Sequence, residues 1–259
     1  IFRNKNQNFR IGERKDMDFT DRRYWIDYWR DYRPAVVDRD FFPSSLIRYL
    51  PPRGSSAIEI GGFPGDCLVY FNKYLDYKVT LLDYYVDRST VEQLETINSL
   101  TKGTLKTIET DFRMFQTDRR YDLVYSSGFI EHFGDPEKII QKHCDLLKEG
   151  GRLLVTVPNL RGVAGAGLKL LNRKEYEAHN ITIMNPEFLN KICERLPLKR
   201  IEVFYYGSRH TPYFFAPATG KRNQLIIFLL KILGRLLETC GMRGRWISPH
   251  IVLTGIRNH

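Results

Sequence analysis

Between Ser55 and Asn159 the chain alternates short apolar runs with segments of helical periodicity, and that alternation leaves few folds open. SSAIEIG, YKVTLLDYY, TLKTIETDF, YDLVYSSG and GRLLVTVPN read as strands. GDCLVYFNKYL, STVEQLETINSL and DPEKIIQKHCDLLKEG read as helices, the last ending at Gly150-Gly151. Near-continuous apolar strands separated by helices are what a parallel sheet covered on both faces requires. Further on, NPEFLNKICERL gives another helix, KRIEVFYYG a strand and SPHIVLTGIRN a last strand. The expectation is an α/β, doubly wound, mostly parallel seven-stranded sheet closed by a hairpin. A helical segment at 1–50 precedes the main domain at 51–259, and a late helical insertion interrupts that domain at about 208–246.

In such a sheet ligands bind at the carboxyl ends of the strands. The first strand ends in AIEIGGFPGD, a turn with Gly61, Gly62 and Gly65, and with Phe63 where a middle glycine is expected. Glycines there let the backbone approach a nucleotide closely. Asp83 ends the second strand, 22 residues after Gly61, about where a carboxylate accepts hydrogen bonds from ribose hydroxyls. Tyr84 can pack on a purine face, and Asp111, with Phe112 beside it, can accept from an adenine amino group. The fourth strand ends in Ser126-Ser127-Gly128, and Ser127 completes the set. These residues describe an adenosine-type cofactor. Glu59 in the first strand and Asp66 at the next helix start would repel a pyrophosphate, which needs bare helix N-terminal amides. The same acids favour the positive sulfur and amine of S-adenosylmethionine, which is expected here in place of NAD. Glu59, Gly61, Gly62, Phe63 and Gly65 then surround its methionine end.

At these residues the chain resembles the class I S-adenosylmethionine-dependent methyltransferases, whose fold is Rossmann-like, over about Ser55 to Asn159. AIEIGGFPGD is similar to the family's acid-x-G-x-G-x-G loop, LLDYY to its ribose-binding acid and TDF to its adenine-binding acid. YDLVYSSGFIEHFGDPEKIIQKHCDLLKEGGRLLVTVPN resembles the block from the fourth to the fifth strand and is the most specific part of the match. The sequence departs from the family at Phe63, whose side chain must turn away from the cofactor or alter how the methionine tail sits. SSGFIEHF is also similar to the Glu-x-x-Glu-His segment of ubiquinone-biosynthesis and small-RNA methyltransferases, which can hold a divalent metal. Here the first Glu is Gly128, and Glu131 with His132 are two donors, too few for a site; no metal is expected.

Methyl transfer is an in-line displacement and mainly a positioning task. A hydroxyl nucleophile also needs a base, and histidine suits that role near neutral pH. His132, just past the fourth strand, is the candidate general base, with a helix-start packing role as the alternative. His179 is a second candidate for base or acceptor contact, and His143 reads as a surface residue on its helix. The IEHF block and the stretch HNITIMNPEFL are similar to bacterial methyltransferases acting on sugars or lipid-linked glycans. That likeness implies a small-molecule hydroxyl as acceptor, phosphorylated or lipid-linked acceptors included. The alternatives are an RNA methyltransferase and an inactive cofactor-binding homologue serving as an interaction module.

Charge bears on the partner. The net charge is +10, and residues 195–245 hold 10 Lys/Arg against 2 Asp/Glu. Such an excess suits nucleic acid, an anionic membrane or a phosphorylated substrate, or it is a solvated face. Nucleic acid is not expected, because no separate RNA-binding module is visible and no NPPY motif follows the fourth strand. KRNQLIIFLLKILGRLL is too short and too charged to span a bilayer; it lies on an anionic membrane, packs on the domain or joins a homodimer. GVAGAG, at 162–167, reads as a flexible acceptor loop or lid. Tyr24, Trp25, Tyr28 and Trp29 form an aromatic stripe on a helix stopped by Pro34, for packing or as a lid. Cys67, Cys144, Cys193 and Cys240 include no C-x-x-C pair, which argues against zinc and for a reducing, cytoplasmic setting. The start at Ile1 is expected of a trimmed N-terminus, and no signal-peptide pattern is seen.

Overall fold

A computed structural model describes residues 19–207, 221–239 and 243–258. Its strands are β1 (Ser56–Ile60), β2 (Lys78–Asp83), β3 (Lys106–Glu109), β4 (Tyr121–Ser127), β5 (Leu147–Pro158), β6 (Leu198–Tyr206) and β7 (His250–Arg257). They form one sheet in the order β3-β2-β1-β4-β5-β7-β6. The pairs from β3 through β5 are parallel, whereas β7 runs antiparallel to both β5 and β6. The order reverses between β1 and β4, which opens a ligand crevice beyond Ile60 and Ser127.

The helices are α1 (Arg22–Trp29), α2 (Ser44–Ile47), α3 (Asp66–Leu75), α4 (Arg88–Ile97), α5 (Pro136–Asp145), α6 (Val163–Leu171), α7 (Arg173–Glu177), α8 (Pro186–Cys193) and α9 (Lys221–Thr239). Their starts follow from local chemistry. Asp87 caps the N–H groups of Ser89 and Thr90, while Asp135 and Asn185 cap helices that begin with a proline. Alternate strand residues serve opposite layers. Ile58, Ile60, Val124 and Val155 join the core under α5 and α8. Ala57, Leu81, Leu123 and Leu154 join the core under α3 and α4. Because both faces are covered, the strands read as continuous apolar runs.

Three expectations change. The helix expected to reach Gly150 stops at Asp145, and β5 starts at Leu147, paired with Tyr121. The ladder outcompetes the helical periodicity of LLKEG, and Gly150, at φ +72, supplies the irregularity before Arg152. GVAGAG is not a flexible loop but runs into α6. A Cβ on Gly165 would stand 1.7 Å from the Leu160 carbonyl oxygen, and one on Gly162 2.5 Å from that of Trp246. Those glycines serve close packing. Finally α1 ends at Trp29, ahead of Pro34. Residues 1–18 of the expected first helical segment lie outside the described residues, as do Cys240 and 208–220 of the late insertion. Among the described residues, no helix is long and apolar enough to cross a membrane.

Candidate functional site

The glycine turn is built from β1 outward. Gly61, at φ +66, donates its N–H to the Leu82 carbonyl at 2.8 Å, and Gly65, at φ +109, caps α3. A Cβ at Gly62 would lie 2.2 Å from Glu59 Cγ, so Glu59 folds directly beneath the turn. Its Oε2 is buried without a hydrogen-bond partner. Burial first, then Asp66 and Asp83 nearby, hold its carboxyl well above the usual carboxylate range. Asp83 accepts from the Phe63 N–H at 2.9 Å and from the Tyr85 N–H at 3.2 Å. Burial still pushes it up to about 6. Burial raises Asp66 as well, although Tyr32 donates its hydroxyl to it at 2.8 Å. Two buried acids and the half-buried Asp66 around one turn favour an incoming cation and resist a pyrophosphate.

Phe63 turns as its sequence context requires. Its ring is buried, edge-on to Trp29 at 5.7 Å and to Tyr85 at 5.5 Å. Only its backbone faces the turn's hydrogen bonding.

A cavity of about 290 Å³ opens at the strand tips. Gly61, Asp83, Tyr84, Asp111, Phe112, Ser127 and His132 all line it. Glu59, Gly62, Phe63 and Gly65 are not in its wall; they shape the turn behind it. The Asp111 carboxylate is gripped by Arg113, with Nη2 at 2.5 Å and Nε at 3.0 Å, and that contact lowers its pKa. Asp111 therefore presents a shared rather than a bare acceptor. Ser127 Oγ accepts from Thr156 at 2.8 Å.

The far wall carries buried titratable groups. Glu131 and His132 sit in a short 3₁₀ turn, Ile130–His132, just past β4. Both Glu131 oxygens are buried and unpartnered, and burial raises this carboxyl to about 8. His132 Nδ1 faces the Ala178 carbonyl at 3.1 Å, and His179 Nδ1 faces that of Glu175 at 2.7 Å. Burial, then His179, drives His132 down to about 3; burial lowers His179 too. Both imidazoles are therefore neutral near pH 7. Each Nδ1–H donates to its carbonyl, which leaves Nε2 as the acceptor. The Trp25 ring stands edge-on to His132 at 5.0 Å, and Tyr24 donates to Glu175 at 2.5 Å, so α1 forms one side of the cavity.

The fold adds a third donor to the two expected. The Asn180 N–H donates to the Glu131 carbonyl at 2.7 Å, and this docking brings His179 to Glu131 and His132. One ligand atom from each lies within 4.8 Å of the others. Three such donors could hold a divalent cation, with the remaining positions left to water or substrate. At Gly128, where a further carboxylate would stand, there is no side chain.

His143 is not a surface residue: it is fully buried, with Nδ1 on the Ile139 carbonyl at 2.8 Å and Nε2 facing Ser126 Oγ at 3.2 Å. It sits on the face of α5 that carries Ile139, Ile140 and Cys144 inward. Glu175 was not foreseen, because nothing local in RKEYE marks it; only the packing of α7 near α1 does.

Residues 28–203 match a family described as methyltransferase domain. The fold is similar to phosphoethanolamine N-methyltransferase 2 of Haemonchus contortus in complex with S-adenosyl-L-methionine, with TM-score 0.57 and 16% identity, over 83% of this chain and 51% of that one. The chain thus spans about half the length of that protein. It is also similar to a SAM-dependent methyltransferase from Archaeoglobus fulgidus, with TM-score 0.52 and 16% identity, over 90% of this chain and 100% of that one. At these identities the likeness is one of fold. No curated protein matches the chain by sequence.

Proposed function

The chain belongs to the methyltransferase domain family, and we propose that it moves the methyl group of S-adenosylmethionine onto a hydroxyl of a small molecule, such as a sugar or a lipid-linked glycan. The observation that carries the hydroxyl reading is Glu131, a buried carboxyl with no partner beside two neutral imidazoles on the cavity wall. An unpartnered buried carboxyl is costly unless a ligand supplies its hydrogen bond. A hydroxyl that attacks carbon must release its proton, and the best acceptor has a pKa near the working pH. Glu131, at about 8, fits that need better than His132, at about 3.

Bound S-adenosylmethionine supplies an activated methyl on positively charged sulfur. Asp83 would accept from its ribose hydroxyls, Tyr84 and Phe112 would flank the adenine, and Glu59 and Asp66, behind the turn, would favour positive charge at the methionine end. Positive charge near Glu131 also draws its carboxyl toward the ionised form. Glu131 would take the proton of the attacking hydroxyl as the methyl passes from sulfur to oxygen and the S–C bond breaks, leaving S-adenosylhomocysteine, while His132 Nε2 would accept from a second hydroxyl of the acceptor. The aromatic face of α1 excludes water, which strengthens each of these contacts.

Calorimetry with S-adenosylmethionine and S-adenosylhomocysteine, with NAD as control, tests the cofactor. S-adenosylhomocysteine release with nucleotide sugars and lipid-linked sugars then tests the acceptor, in the parent and in Glu131→Gln. Turnover lost in Glu131→Gln with cofactor affinity retained supports the reading. A folded parent that binds neither compound overturns it.

A further inference from the structure

Part of the apolar run in the late insertion stands exposed. Leu225, Phe228, Leu229, Ile232 and Leu236 are between 41% and 60% exposed. On an α-helix that spacing confines them to one arc of roughly 100°, the width usually turned toward a core. Here it faces outward, as one continuous stripe on a 19-residue helix. An exposed patch of this kind marks a surface that meets something apolar.

Charge selects the partner. Between 221 and 239 the sequence has four Lys/Arg and one acid, Glu238, and the wider stretch 195–245 holds 10 Lys/Arg against 2 Asp/Glu. Pairing two copies through this helix would set two like-charged segments against each other. An anionic bilayer covers the apolar stripe and neutralises the charge at once. Lys231 and Arg235 interrupt the run, which suits a helix lying in the interface rather than crossing it. Trp246, 63% exposed, lies next to this region: its carbonyl accepts from the Val163 N–H at the start of α6, and α6 packs against α9. Tryptophan is at home at membrane interfaces.

We propose that the outward stripe of α9, Leu225, Phe228, Leu229, Ile232 and Leu236, docks the protein on an anionic lipid surface. Docking goes beyond the methyl-transfer reading and does not depend on which atom is methylated. Ala164, in the first turn of α6, and Leu160 just before that helix line the cavity, so α9 stands near one side of the site. The bilayer would thus lie close to where an acceptor enters.

The test is flotation of the full chain with phosphatidylcholine vesicles, with and without phosphatidylglycerol, at low and high salt. The expected result is binding to the anionic vesicles alone, weakened by salt. Phe228→Glu with Leu229→Glu should reduce that binding by about tenfold or more. The uncharged pair Leu225→Gln with Ile232→Gln should reduce it less, and both pairs should bind S-adenosylhomocysteine as the parent does. Equal binding to zwitterionic vesicles, no binding, or parent-like binding by both pairs overturns the proposal. A parent dimer that the glutamate pair dissolves, without vesicle binding, would assign the stripe to a second copy instead.

Discussion

Asp83 Oδ2 accepts a hydrogen bond from the backbone N–H of Phe63 at 2.9 Å, tying the tip of β2 to the glycine turn that follows β1. One carboxyl thus fixes the turn and lines the cavity, where the proposed cofactor would place its ribose. The two duties separate by substitution. Asp83→Ala loses both, and its S-adenosylmethionine affinity should fall roughly 30-fold or more, the scale of a lost charged hydrogen bond. Asp83→Asn keeps an oxygen for the Phe63 N–H and should lose clearly less. Equal losses in calorimetry would show that the turn does not depend on this bond.

Glu131→Gln removes the proposed proton acceptor while keeping the shape, and kcat should fall about 100-fold or more. Stability should respond in a defined direction. The folded pKa, about 8, lies above the usual 4.5, so the folded chain holds this proton more tightly than the unfolded one. The stabilisation is complete below 4.5 and is lost as pH rises toward 8. Between pH 5 and 8 it amounts to about 3 kcal/mol. Urea unfolding at those two values should show a smaller difference in Glu131→Gln than in the parent. An unchanged difference would mean that Glu131 ionises freely in the fold.

The strand tips were legible in the sequence because each is local: an apolar run, then a glycine turn or an acid. Gly61, Asp83, Asp111 and Ser127 come to one cavity because the sheet order gathers those tips. The acid cluster around the turn was legible for the same reason. The cluster at the far wall was not. His132 bonds a carbonyl 46 residues away, and no local pattern announces that Asn180 docks on Glu131. His143 could have been placed: it shares a helical stripe with Ile139, Ile140 and Cys144, so the periodicity that predicts α5 also predicts its burial. The glycines of GVAGAG misled because glycine signals flexibility and close packing alike, and only the 1.7 Å approach at Gly165 decides between them.

Gly62→Ala tests how tightly the turn sits on Glu59. A Cβ there would meet Glu59 Cγ at 2.2 Å, and Glu59 is walled in by the core. The substitution should destabilise the protein by about 1–3 kcal/mol, as overpacking does. It should also weaken cofactor binding, because the turn must lift. Adding Glu59→Ala relieves most of the clash, so thermal melting should recover while cofactor affinity stays low. If the double variant melts as low as Gly62→Ala alone, the clash lies elsewhere.

His143 should make the protein sensitive to acid. Its ring is fully buried, with Nδ1–H donating to the Ile139 carbonyl and Nε2 accepting from the Ser126 hydroxyl. Protonating Nε2 would place a charge where no water reaches and would turn that acceptor into a donor. Burial accordingly holds the folded pKa at about 4, below the ordinary 6.5. Since the unfolded chain takes up this proton first, the stabilisation is present above 6.5 and is lost as pH falls toward 4. From pH 7 to 5 the loss amounts to about 2 kcal/mol. His132, held still lower, acts in the same direction. His143→Gln keeps polar atoms but cannot titrate. It should start less stable at pH 7 and lose less between pH 7 and 5, by denaturant unfolding. A variant that loses as much as the parent would show that His143 takes up its proton without opening the core.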